Sequence, residues 1–173
     1  MKKLTILFIL PLLVACNPKK ISTSMTDSIS KTESSCPPDG TCKIEVLKNK
    51  SLVVKKDDIG AIYYQLIDDV TKNVIHYEYN QTSDENLEDG GLREEILFEV
   101  DQNSSELQLS SMALQQTKML YGRHCYCKGG AGYFKVENGT LTISKTNKNK
   151  HSLLLDFKVS EVPQTISTIK AQY

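Results

Sequence analysis

The 173-residue chain balances 21 basic against 21 acidic side chains, has 39% hydrophobic residues and contains no tryptophan. Zero net charge offers no electrostatic footprint for nucleic acid, which calls for a basic patch, so no nucleic-acid partner is expected. The length suits one domain rather than an assembly of several.

In chain order the first signal is Met1-Lys2-Lys3, an apolar run from Leu4 to Ala15, and then Cys16. A positive start followed by a short apolar run is the layout of a secretory signal. The run is too short to span a bilayer, which needs roughly 20 apolar residues, and Pro11 interrupts it. Leu13-Val14-Ala15-Cys16 resembles the bacterial lipobox. The resemblance implies cleavage before Cys16 and acylation of that residue. Several acyl chains make a durable anchor, because each buried methylene contributes about 0.8 kcal/mol. Residues 1–15 are thus read as a lipoprotein signal, and the lipid bilayer is a partner through acylated Cys16. Asn17 stands where an aspartate would retain the protein at the inner membrane, so the outer membrane is the expected address.

Residues 16–35 are rich in Ser and Thr and have little to bury, which predicts a disordered tether. Within it, Asp27-Ser28-Ile29 resembles the O-glycosylation triplet of some Bacteroidota, but an unmodified spacer is the simpler reading. The domain is placed at 36–173. Pro37-Pro38-Asp39-Gly40 signals a turn, and alternation follows from Cys42 to Val46. Ser51 to Lys55 is a β-branched run closed by a turn at Asp57-Asp58-Ile59-Gly60. Ile75, Tyr77 and Tyr79 share one face of a strand, opposite His76 and Glu78. Ile96, Phe98 and Val100 likewise alternate with Glu95, Leu97 and Glu99. Period two predicts strands with one buried face.

A turn at Asp101–Ser104 leads to Leu107 and Leu109. Tyr133–Val136 and Leu141–Ile143 flank Asn138-Gly139, the pair that favours a type I′ hairpin. After a polar loop at Thr146–Lys150, Leu153, Leu155, Phe157 and Val159 alternate with Leu154, Asp156 and Lys158, which predicts a three-stranded meander. Ser111–Leu120 and the tail after Pro163 fit either helix or strand. The expected fold is all-β: one disulfide-stabilised antiparallel sandwich or barrel of about eight short strands, with little helix. From Cys36 to Val162 the chain is similar to uncharacterised lipoproteins of Bacteroidota, in Cys-Pro-Pro-Asp-Gly-Thr-Cys, Leu-Lys-Asn-Lys-Ser-Leu and Cys-Tyr-Cys-Lys-Gly. That resemblance implies the envelope address and carries no activity.

With Cys16 taken by lipid, Cys36, Cys42, Cys125 and Cys127 form an even set. In an oxidising compartment such a set is read as disulfides. Cys125 and Cys127 in an extended strand would sit roughly 6.6 Å apart, near the limit of disulfide reach. The expected pairing is therefore a long-range clamp, with Cys36 and Cys42 each bonded to one of Cys125 and Cys127. His124-Cys125-Tyr126-Cys127 is the one cluster with soft-metal potential, but Cys-x-Cys is neither zinc-site spacing nor a thioredoxin motif. Gly129–Gly132 lacks the Lys-Ser/Thr of a phosphate cradle and reads as a turn. Asp84–Gly91 approximates a calcium loop with Glu95 twelfth, yet Asp89 occupies the sixth position, which requires glycine. It reads as a solvated acidic loop.

His76, His124 and His151 share no spacing that suggests catalysis. No catalytic residue, metal ligand or cofactor is assigned, and a non-enzymatic function is expected. Three readings compete. The first is a lipid-anchored envelope protein with a binding or structural role and an envelope protein as its partner. The second is an inhibitor of a periplasmic enzyme, inserting a loop such as Gly129–Gly132 or Asp84–Gly91 into a cleft. The third is a thiol or metal protein centred on Cys125 and Cys127.

Overall fold

A computed structural model describes residues 27–28, 36–83, 91–147 and 150–173. The signal segment, Cys16, all of the tether but Asp27 and Ser28, and the acidic stretch 84–90 lie outside the described residues. The fold is all-β and antiparallel. In order come β1 (Asp27–Ser28), β2 (Gly40–Lys56), β3 (Ile62–Gln81), β4 (Arg93–Asp101), β5 (Glu106–Ser110), a 3₁₀ helix (Ser111–Thr117), β6 (Leu120–His124), β7 (Gly132–Lys135), β8 (Asn138–Asn147), β9 (Lys150–Lys158) and β10 (Thr168–Gln172). The stretch at Ser111–Leu120 therefore resolves into one short helix and the start of a strand. The tail after Pro163 supplies β10. Asp27 and Ser28, placed in the tether from sequence, pair with Val46 and Glu45 of β2.

One sheet runs β1-β2-β3-β4-β6-β7, and an added pairing of Ile62 with Tyr133 joins β3 back to β7. This closes β3, β4, β6 and β7 into a small barrel. Closure is possible because β2 and β3 are long. The runs at Cys42–Val46 and Ser51–Lys55 are one strand, continuous through a bulged step at Asn49, opposite which β3 carries the extra residues 69–72. Asn49 has φ 57° and its N–H donates to Asn73 Oδ1 at 3.1 Å. Asparagine tolerates the left-handed region better than most residues, and a bulge of this kind bends and twists the strand. The β2–β3 hairpin turns where expected: Asp57 Oδ1 accepts the N–H groups of Ile59 and Ala61, and Gly60 adopts φ 86°.

The second sheet is β10-β9-β8-β5. Its β8–β9–β10 meander has the expected register, with Leu153, Leu155 and Phe157 buried and Leu154, Asp156 and Lys158 exposed. This sheet packs on the outer face of the barrel. Ile75, Tyr77, Tyr79, Ile96, Phe98, Tyr121, Leu141, Leu155 and Ile169 form one continuous core between them.

Two expectations fail here. Asn138-Gly139 is not a hairpin turn, because β7 and β8 belong to different sheets and Asn138 and Gly139 pair with Lys158 and Phe157 of β9. Glycine is needed for close approach instead: a Cβ at Gly139 would sit 2.2 Å from the Asp156 carbonyl oxygen. The three-stranded meander is therefore β8–β9–β10, without β7. The second failure concerns β4, whose two faces are both buried, where alternation predicted one. Barrel closure covers the second face.

Candidate functional site: a buried carboxylate at the mouth of the barrel

The inner face of the barrel carries Val74, His76 and Glu78 on β3; Arg93, Glu95, Leu97 and Glu99 on β4; Leu120, Gly122 and His124 on β6; and Tyr133 on β7. Register sets this arrangement: Glu78, Glu95, Gly122 and Tyr133 lie in one row across the four strands. At its lower end Leu97, Val74 and Leu52 make a small apolar core, with Leu47, Tyr64 and Tyr133 packed against it.

Above that floor, Glu95 is 2% exposed and uses both carboxylate oxygens. Oε1 accepts from His124 Nε2 at 2.7 Å and from the Tyr133 hydroxyl at 2.6 Å. Oε2 accepts from His76 Nε2 at 2.8 Å, with Arg93 Nη1 3.7 Å away. Burial acts to raise the pKa of Glu95, but the hydrogen bonds from His124, His76 and Tyr133 outweigh it and hold the carboxyl well below the usual range. Ionised Glu95 is acceptor-only, so both imidazoles present N–H at Nε2. The Tyr133 hydroxyl is pushed strongly upward, first by burial and then by its bond to Glu95. It remains a donor.

Gly122 makes this geometry possible. A Cβ there would lie 2.7 Å from the Tyr133 ring, 2.8 Å from Glu95 Cγ and 2.9 Å from Glu95 Oε1. The missing side chain is the channel through which Tyr133 reaches Glu95. A second carboxylate on the same face, Glu99, is also buried and equally well satisfied: Oε2 accepts from Ser51 Oγ at 2.7 Å and the Leu52 N–H at 2.9 Å, and Oε1 pairs with Lys118 at 2.9 Å. Lys118 also caps the Leu52 carbonyl at 2.8 Å.

His76, Glu78 and Glu95 each offer a ligand atom within 4.8 Å of the others, a spacing that could hold a metal ion. The positive charge at that point is already supplied by Arg93, which bonds Glu78 Oε2 at 3.0 Å. The arrangement is that of a satisfied polar network, in which each charged group has its partner. It opens on a cleft of about 560 Å³ lined by Asn80, Gln81, Arg93, His124, Cys125 and Tyr126.

The cysteines pair otherwise than expected. Cys36 bonds to Cys42 with Cα atoms 5.8 Å apart, and Cys125 to Cys127 with Cα atoms 5.3 Å apart. The long-range clamp does not form. It was inferred from a Cys125–Cys127 segment in extended strand, but β6 ends at His124 and the chain bends through both cysteines. The bend shortens the Cα separation and brings both sulfurs together. The expected glycine turn lies at Cys127–Gly130, with Gly129 at φ 72° and Gly130 N–H donating to the Cys127 carbonyl, while Gly132 already opens β7. Within the calcium-like pattern, Glu95 belongs to the barrel interior and not to a loop.

Two of the three histidines, which share no telling spacing in the sequence, converge on one carboxylate in space. His151 instead stacks on Tyr173 in the second sheet. One signal for the cluster was present in sequence: Leu97 stands between Glu95 and Glu99 on the face read as wet. The chain matches no family model, no curated protein and no solved structure.

Proposed function

We propose that the chain is a lipid-anchored protein of the bacterial envelope whose β-domain works by binding at the mouth of the barrel, with Glu95 taking no part as an acid–base catalyst. Acylated Cys16 provides the anchor, and Asn17 favours the outer membrane. The observation that supports a binding role is the saturation of Glu95: its oxygens are occupied by His124, Tyr133 and His76. A carboxylate held ionised by three donors is a poor general base, since efficient bases titrate near the working pH. What the network does provide is rigidity, fixing His124 and Arg93 on the wall of a polar cleft next to the exposed ring of Tyr126. Preorganised polar groups beside an exposed aromatic side chain suit a protein partner.

The test has two arms. Cys16→Ser should leave material that no longer partitions into detergent, and unchanged partitioning would refute the anchor. Mature protein and its Arg93→Ala/Tyr126→Ala variant would then be compared in pull-downs from envelope extracts. A partner retained by the first and lost by the second is expected; identical captured sets would refute the cleft.

A second reading, inhibition of a periplasmic enzyme, draws on Tyr126 alone. It is 87% exposed and held between two bonded cysteines. A protruding aromatic on a closed ring is preorganised for insertion into a partner's cleft.

A further inference from the structure

The two disulfides sit in different surroundings. Cys36 and Cys42 are packed against the main core. Cys125 and Cys127 stand on a loop whose neighbours Tyr126, Lys128 and Gly129 are exposed, and Cys125 lines the cleft. The Cys125–Cys127 ring has one residue between its cysteines and closes a shorter loop than Cys36–Cys42, so folding favours its bond less. Arg123 Nη1 lies 2.7 Å from Cys125 Sγ and 2.8 Å from Cys127 Sγ, and donates to the Gly130 carbonyl at 3.0 Å. Among the described residues Arg123 has no carboxylate partner. A disulfide sulfur is a feeble acceptor, so a guanidinium set on both sulfurs is matched to the reduced pair. A cation beside cysteine stabilises the thiolate, which is the reactive form.

We propose that Cys125–Cys127 is a thiol–disulfide exchange site whose substrates are dithiols of exported proteins, with Arg123 as the group that stabilises the departing thiolate. A substrate thiolate attacks one sulfur of the pair. The Cys125–Cys127 bond breaks, a mixed disulfide forms, and the released cysteine leaves as a thiolate against Arg123. The second substrate thiolate attacks the mixed disulfide and expels the other cysteine. Two electrons pass from substrate to the pair, the substrate gains a disulfide, and the protons of its two thiols end on Cys125 and Cys127. A low-molecular-weight disulfide such as glutathione disulfide restores the pair, each glutathione taking one electron and one proton. Gly129, at positive φ with open space where a Cβ would stand, leaves the loop unobstructed there as the bond opens.

The experiment uses the full mature chain in graded mixtures of reduced and oxidised glutathione, followed by alkylation and peptide mapping. Cys125 and Cys127 should become alkylated at potentials where Cys36–Cys42 remains closed. Joint opening of the two bonds would overturn the proposal. On the reduced pair, alkylation by iodoacetamide at neutral pH should be roughly tenfold slower in Arg123→Gln, with Arg123→Lys restoring most of the rate. A structural role for Arg123 would not move this rate, so equal rates would overturn its assignment. Finally, reduced ribonuclease A in glutathione disulfide should regain activity faster with the wild-type chain than with Cys125→Ser/Cys127→Ser. Indistinguishable recovery would overturn the exchange function even if the bond is labile.

Discussion

Strand β4 has two buried faces held by different physics. Toward the second sheet, Ile96, Phe98 and Val100 join a continuous apolar core. Toward the barrel interior, Glu95 and Glu99 flank Leu97, and each carboxylate is surrounded by donors drawn from other strands. The apolar face gains from area removed from water, which needs no direction. The polar face gains nothing unless every group is paired, because an unpaired buried charge costs several kcal/mol. One face therefore holds the sheets together, and the other fixes side chains at defined positions. The difference explains why a site can occupy the inner face without weakening the fold: its carboxylates are hydrogen-bonded by groups of the barrel itself, and the apolar floor of Leu97, Val74 and Leu52 keeps water out from below.

Substitutions on the two faces should separate these contributions. Phe98→Ala is expected to cost the most, about 3–5 kcal/mol in denaturant unfolding, the usual range for a fully buried Phe. Glu95→Gln keeps the shape but weakens the acceptor shared by His76, His124 and Tyr133, and should cost about 1–3 kcal/mol. If it costs less than about 0.5 kcal/mol, the network is ornamental to stability.

Gly122→Ala tests the same face sterically. The added methyl must displace Tyr133 or Glu95, so the variant should be destabilised by about 1–3 kcal/mol. Adding Tyr133→Phe should then cost less than it does in wild type, since the hydroxyl bond is already broken.

Acid should discriminate the faces as well. The folded-state pKa of Glu95 lies below its ordinary value of 4.5, so the unfolded chain binds the proton more readily. The stability this contributes is complete above about pH 4.5 and is lost as pH falls toward the folded-state value. The gap between wild type and Glu95→Gln should therefore narrow between pH 5 and pH 3, whereas the gap to Phe98→Ala should not. A Glu95→Gln gap independent of pH would contradict the ionised, triply bonded carboxylate. The smallest effect belongs to the exposed edge of the meander: Lys158→Ala should change stability by no more than about 0.5 kcal/mol.

Local pattern carried a good part of the fold. Alternation at Ile75–Tyr79 and at Leu153–Phe157 named the faces that meet in the core, and Asp57–Gly60 named its turn, because strand period and turn chemistry are properties of neighbours in the chain. The site was less legible. Glu95 meets His76, His124 and Tyr133 across 19, 29 and 38 positions, and no spacing rule links them. Asn138-Gly139 misled for a related reason: the dipeptide suits a hairpin, but the glycine answers to a close backbone contact with β9 that only the second sheet creates.

What the chain determined by itself is therefore its strand periodicity, its all-β class, and those turns, such as Asp57–Gly60, that are closed by their own residues. These follow from interactions within a few residues. Tertiary structure decided which strands pair, and closing β3 onto β7 turned an apparently wet face into an interior. It also decided the cysteine pairing, since the bend after His124 brought Cys125 to Cys127 where an extended strand would have kept them apart. Both outcomes depend on where the chain stops being a strand and what closes over it, and that is settled only when distant segments compete for the same hydrogen bonds.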